Sequence, residues 1–241
     1  MWLGKNNRDN NLVAIKQISK KNIKNDVGFF ARKEIEIFNF LSNIEQNSNI
    51  IKLLDYIEDN NDFWLIFEKG GHNFANLLYK IKGDFLGNER IYCIQKGKFL
   101  KHLFENLTLF KDFFKKMLNF LHFLTLHGIV HCDIKPDNIL VEYEENDNKI
   151  ELTSLKMIDF GSAFYQKNPD NFNSNTPEYM SPEINEINER GVSTLIVIQF
   201  IKDLNPWCID MWSLGVTILE IVLACPLWMS YKTKIKRNNK V

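Results

Sequence analysis

The stretch His131-Cys132-Asp133-Ile134-Lys135-Pro136-Asp137-Asn138 decides how this chain is read. It sets a carboxylate at Asp133, an ammonium at Lys135 and a side-chain amide at Asn138 within one short loop. Downstream, Asp159-Phe160-Gly161 follows the apolar run Leu155 to Ile158. Upstream, Val13-Ala14-Ile15-Lys16 places a lysine within a short β-type run, Leu12 to Ser19. Each of these is weak alone: a Lys after small apolar residues is usually a strand residue reaching water, and Asp-Phe-Gly recurs by chance. Their order along one chain is what gives them weight.

The residue types suit transfer of a phosphoryl group. A carboxylate can accept a hydroxyl proton, an ammonium can neutralise phosphate charge, and an amide oxygen can hold a metal ion without adding charge. With these motifs the chain resembles the eukaryotic-type protein kinases over nearly all its length. The resemblance implies that Asp133 is the base and that Lys135 neutralises the transferring group. It assigns Asn138 and Asp159 to magnesium and Lys16 to the ATP phosphates. Lys135 is the residue typical of kinases acting on Ser and Thr. Lys16 needs a helix carboxylate as partner; Glu34 fits the pattern better than its competitor Glu36. Thr176-Pro177-Glu178-Tyr179-Met180-Ser181-Pro182-Glu183 is similar to the end of an activation segment, with Thr176 beside Asp133 and Lys135. Asp210-Met211-Trp212-Ser213-Leu214-Gly215 matches the start of the central helix, whose Asp210 would accept from the catalytic-loop backbone. Ala14, Phe67, Glu68, Gly70 and Leu140 would line the adenine site, with Phe67 as gatekeeper.

Four departures stand out. Only Gly4 precedes Lys16, where the family carries a glycine-rich loop. The chain stops soon after the central helix, so Glu183 would lack the Arg that normally pairs with it. The expectation is therefore a kinase fold incomplete at both ends. Cys132 stands where the family usually has Arg, which argues against activation by loop phosphorylation. Insertions are read at Tyr79 to Phe104 and Ile184 to Asn205.

Composition agrees with a globular enzyme. The 241 residues are 45% hydrophobic with 19 Phe, enough for a sizeable core. Thirty basic residues balance thirty acidic ones, so nothing argues for nucleic acid or an acidic membrane as partner. Lys232 to Lys240 is a basic tail, read as a solvated end. Cys93, Cys132, Cys208 and Cys225 form no Cys-x-x-Cys pair, so neither zinc nor disulfides are expected. The apolar runs Leu195 to Ile201 and Val216 to Met229 are shorter than the ~18 residues a bilayer needs, so no membrane span is expected. An intracellular, cytoplasmic setting follows.

The expected architecture is α+β and two-lobed. Residues 1–67 form a small β-rich lobe with one helix, 68–71 a hinge at Lys69-Gly70-Gly71, and 72–241 a larger helical lobe. Strands are expected at Leu12 to Ser19, Ile50 to Tyr56 and Phe63 to Phe67, and a helix over Val27 to Leu41. A second helix carries Phe110, Phe113, Met117, Leu121 and Leu124, with Gly128 as its C-cap. Ile139-Leu140-Val141 pairs with Leu155 to Ile158 across a loose polar loop, Glu142 to Ser154. Asp210 to Leu223 is apolar enough for a buried helix. Two functions fit: a magnesium-dependent Ser/Thr protein kinase acting on ATP and a protein substrate, or an inactive pseudokinase fragment that scaffolds partners.

Overall fold

Alternation along Asp62–Glu68 organises the first lobe. Phe63, Leu65 and Phe67 are buried while Asp62, Trp64, Ile66 and Glu68 between them are not, the period of a strand with one covered face. This computed structural model describes residues 1–22, 27–44, 49–86, 89–146, 149–169, 176–185 and 205–227. The basic tail, the run Leu195 to Ile201 and most of the insertion after Ile184 lie outside the described residues.

Strands β1 (Trp2–Lys5), β2 (Leu12–Ser19), β3 (Leu53–Glu58) and β4 (Asp62–Glu68) form an antiparallel sheet in the order β1-β2-β4-β3. Asp59 shapes the β3–β4 turn: one carboxylate oxygen accepts from the N–H groups of Asn61 and Asp62, the other from the Trp64 indole. The register opposes Ala14, Lys16 and Ile18 of β2 to Phe67, Leu65 and Phe63 of β4. Residues directly opposite share a face, so Lys16 looks toward the covered side. Helix α1 (Val27–Ser42) lies on that side and buries Ala31, Ile35, Ile37, Phe38 and Leu41. Burying a Phe such as Phe38 contributes about 2–3 kcal/mol. The strand expected from Ile50 begins instead at Leu53; Ile50 makes an isolated parallel bridge to Met157.

After Glu68 the chain crosses to the second lobe. Strand β5 (His72–Asn73) leads into α2 (Phe74–Leu78), the hairpin β6 (Tyr79–Leu86) and β7 (Glu89–Lys96), then α3 (Lys98–Glu105) and α4 (Leu107–Leu126). Asn106 caps α4 by accepting from Thr108 and Leu109 N–H, worth about 1 kcal/mol. Gly128 follows α4 at φ +66°, the left-handed C-terminal position that glycine takes without steric cost. Next come β8 (Ile129–Val130), β9 (Ile139–Asn146), β10 (Lys149–Met157), β11 (Phe164–Tyr165) and α5 (Trp207–Leu223). Sheets β10-β9-β5 and β11-β8 complete the described strands.

Two expectations change, and one insertion acquires a structure. Glu142 to Ser154 is no loose loop: β9 and β10 stay paired out to Asn146 and Lys149, with a bulge between Leu152 and Ser154. Ile150, Leu152, Leu155 and Met157 are buried, and the charges that suggested a loop belong to the other face. The insertion Tyr79 to Phe104 is an antiparallel hairpin followed by α3, which buries Phe99, Leu100 and Leu103. Helix α5 is not buried all round: Ile209, Asp210, Ser213, Leu214, Thr217, Glu220 and Ile221 face inward, while Met211, Trp212, Leu219 and Val222 are about half exposed. Its apolar residues outnumber those that contact the described core, so composition alone overstated its burial.

The lobes are tied behind the cleft. Ile51 N–H donates to Met157 O at 3.0 Å and Met157 N–H to Asn49 O at 2.8 Å. Lys156 Nζ reaches Glu68 Oε1 at 2.7 Å.

Candidate active site

Three elements bring three charges together. Lys16 Nζ on β2 lies 2.7 Å from Glu34 Oε1 on α1 and 2.8 Å from Asp159 Oδ1 beyond the end of β10. Glu34 is therefore the partner, and Glu36 is exposed. Burial alone would lower the Lys16 pKa, but the two carboxylates outweigh it and hold the ammonium protonated above its usual range. Burial raises Glu34, with Lys16 opposing it. Burial would raise Asp159 too, yet Lys16 wins there and holds it below the usual carboxylate range. Asp159 sits at φ +64°. A Cβ on Gly161 would come 3.2 Å from Asp159 Oδ1, so glycine keeps that turn open.

The catalytic-type loop is fixed from beneath. Asp210 accepts from His131 N–H and Cys132 N–H, both at 2.8 Å. Those bonds offset the cost of burying its carboxylate and hold Cys132 at φ +64°. The His131 ring accepts from Asp133 N–H at Nδ1, which leaves the Nε2 hydrogen for Ile158 O. Phe160 packs inward against His131 and Phe38, with centroids 4.8 and 5.0 Å away. Phe38 also meets Phe67 at 5.0 Å, so an aromatic column joins Phe67 to the loop.

Asp133, Lys135 and Thr176 form a closed triangle. Lys135 Nζ donates to Asp133 Oδ2 at 2.7 Å and to Thr176 Oγ1 at 2.6 Å, and Thr176 Oγ1 donates to Asp133 Oδ1 at 2.7 Å. Asn138 Nδ2 donates to Asp133 O and Oδ2, both at 2.8 Å. The β9–β10 register pairs Ile139 with Met157, and Ile158 N–H donates to Asn138 O at 3.0 Å. That ladder puts Asn138 and Asp159 at neighbouring strand ends.

A slot opens beside Lys16. Ala14, Ile51, Phe67, Gly70, Leu140 and Ile158 give it apolar walls, and Lys16, Glu34 and Asp159 its polar end. A Cβ on Gly70 would stand 2.3 Å from Leu140 Cδ1, so a side chain there would push the Leu140 wall of the slot aside. Glu68 also borders the slot, but its side chain is turned to Lys156 and Lys52 N–H, and its own N–H is taken by Lys52 O.

The sequence reading missed two residues at this site. Glu220 lies on α5, accepts from the Tyr179 hydroxyl, and with Asp137 lines a cavity of about 450 Å³ walled by Tyr79 and Lys80. Its signal was a second carboxylate, after Asp210, in an otherwise apolar helix. Asn73 donates to Asp137 O at 2.7 Å; its signal was a polar residue just before a helix. Glu183, expected to be buried and in need of an Arg, is exposed and carries no such cost.

Residues 2–241 match the family described as protein kinase domain, and the chain belongs to that family. It is 25% identical over 227 residues to calcium-dependent protein kinase 4 of Plasmodium berghei, covering 93% of this chain and 35% of that protein. It is 28% identical over 224 residues to the probable serine/threonine-protein kinase yakA of Dictyostelium discoideum, covering 93% of this chain and 13% of that protein. The chain thus spans about a third or less of these relatives. The crystal structure of the PF14_0431 kinase domain superposes with a TM-score of 0.59 at 22% identity, over 91% of this chain and 59% of that one, and shows the same fold. Among the described residues no helix is long and apolar enough to cross a membrane.

Proposed function

We propose that this chain transfers the γ-phosphoryl group of ATP to Ser or Thr hydroxyls of a protein, with magnesium. The Asp133–Lys135–Thr176 triangle carries the reading. Asp133 Oδ is placed to orient the acceptor hydroxyl and take its proton. Lys135 is placed to neutralise charge on the group in transit. Thr176 bridges the two and sets a wall close to Asp133, which suits a short acceptor side chain.

The residues fit the nucleotide and the cation. The slot is apolar where a base would lie and cationic where phosphates would lie. No cluster of three His, Cys, Asp or Glu occurs among the described residues. A cation here would lean on Asn138, Asp159 and phosphate oxygens, the sparse oxygen set magnesium accepts. When bound, magnesium-ATP supplies the phosphoryl group and screens its charge. Lys16 is held by Glu34 for the phosphates, and Asp210 keeps the loop peptides aligned beneath Asp133.

The test offers the full chain magnesium-ATP and matched Ser, Thr and Tyr peptides. Ser and Thr peptides should be phosphorylated, and Asp133→Asn should lower the rate by about 10²–10⁴-fold. Equal rates for parent and variant would reject the assignment. A chain that transfers no phosphate yet binds proteins would support the scaffold reading.

A further inference from the structure

The peptide unit joining Asp137 to Asn138 is held at both ends. Its N–H, from Asn138, donates to Lys135 O at 3.0 Å inside the short 3₁₀ turn Pro136–Asn138. Its C=O, from Asp137, accepts from Asn73 Nδ2 at 2.7 Å. The second bond comes from far away in sequence. Asn73 ends β5, which pairs with β9 so that Asn73 opposes Leu140. It also caps α2, since Asn73 Oδ1 accepts from Asn76 N–H at 3.3 Å. The amide orientation is fixed by its partners: a carbonyl only accepts and an N–H only donates.

We infer that Asn73 is a positioning residue for Asn138, and through it for the divalent cation; this rests on the function proposed above. Fixing both ends of a peptide fixes the direction in which the next Cα–Cβ bond leaves. The Asn138 amide nitrogen is already committed to Asp133, which aims its Oδ1. Releasing Asp137 O lets the 137–138 peptide rock about the Lys135 bond and detunes that oxygen. Partners of this outer kind typically carry about 10–100-fold in metal affinity. Asn73 lies two residues after Gly71 along the chain, so the segment that walls the nucleotide slot also sets the metal-side amide.

The experiment uses Asn73→Asp and Asn73→Ser in the full chain. Both keep a capping oxygen for α2 and lose the amide donor, and Asp caps as well as Asn, so melting should hold. Calorimetry measures binding of adenylyl imidodiphosphate in EDTA and again with magnesium. Affinity in EDTA should match the parent, and the gain on adding magnesium should shrink by about tenfold. If both variants keep the parent's magnesium gain, or lose affinity equally with and without magnesium, Asn73 has no positioning role. A parent that binds the analogue without any magnesium gain would instead reject the proposed function, and this inference with it.

Discussion

Lys16 Nζ sits between two carboxylates, 2.7 Å from Glu34 and 2.8 Å from Asp159, so one ammonium joins the sheet, α1 and the segment after β10. This sharing ranks two substitutions. Lys16→Met removes the cation meant for the phosphates and should lower phosphotransfer by about 10²-fold or more. Glu34→Gln leaves Asp159 as a partner and should cost clearly less. Initial rates at saturating peptide measure both, and equal losses would mean that Asp159 does not hold Lys16.

Asp210 gives a stability prediction. Its carboxylate accepts two backbone N–H groups, and the side chain is 1% exposed. Asp210→Asn offers one oxygen and one NH₂, so an N–H of His131 or Cys132 must face a donor. Losing a charge-assisted bond costs about 1.5–3 kcal/mol. Urea unfolding should show a lower midpoint, with phosphotransfer falling further as Asp133 loses its support. An unchanged midpoint would mean the loop does not depend on α5.

Glu220 predicts a pH dependence. Burial pushes its carboxyl up to about 8, with the backbone bond to Leu227 opposing. A raised acid is stabilising while protonated, so its contribution is fully present below the ordinary value of 4.5. It is lost as pH rises through about 8. Stability should therefore decline from pH 5 to 9, and Glu220→Gln should flatten that decline. Thermal melting across this range is the measurement, and parallel curves for both proteins would contradict the raised value.

Local signals carried much of this fold into the sequence. Leu12 to Ser19 was legible as a short β-type run around Lys16, and the helix from Val27 by its helical spacing. Asp133, Lys135, Asn138 and Asp159 were legible as a spaced set. Hairpin β6–β7 was legible only as an insertion, Tyr79 to Phe104, to which the sequence assigned no structure. The role of Asn73 was hidden for another reason: its bond to Asp137 spans 64 residues and exists only once β5 pairs with β9. The outward side of α5 was misjudged because an apolar composition says what a helix could bury, not what lies against it.

Cys132 bears on regulation. Its side chain is 3% exposed, and burial, with Asp210 and Asp133 nearby, pushes its thiol well above the ordinary value. It is therefore neutral at physiological pH and cannot pair with a phosphate as an arginine does. Yet the loop it belongs to is already ordered: Asp210 holds the N–H groups of His131 and Cys132, and Lys135 and Thr176 close on Asp133. These contacts hold Asp133 in place without a phosphate–arginine pair. Phosphatase-treated protein should keep most of its activity, whereas Thr176→Ala should lose much of it by opening the triangle. Rates before and after treatment, with mass spectrometry to confirm phosphate removal, decide the matter. A tenfold loss on dephosphorylation would show that another residue takes the phosphate and that the loop is not self-sufficient.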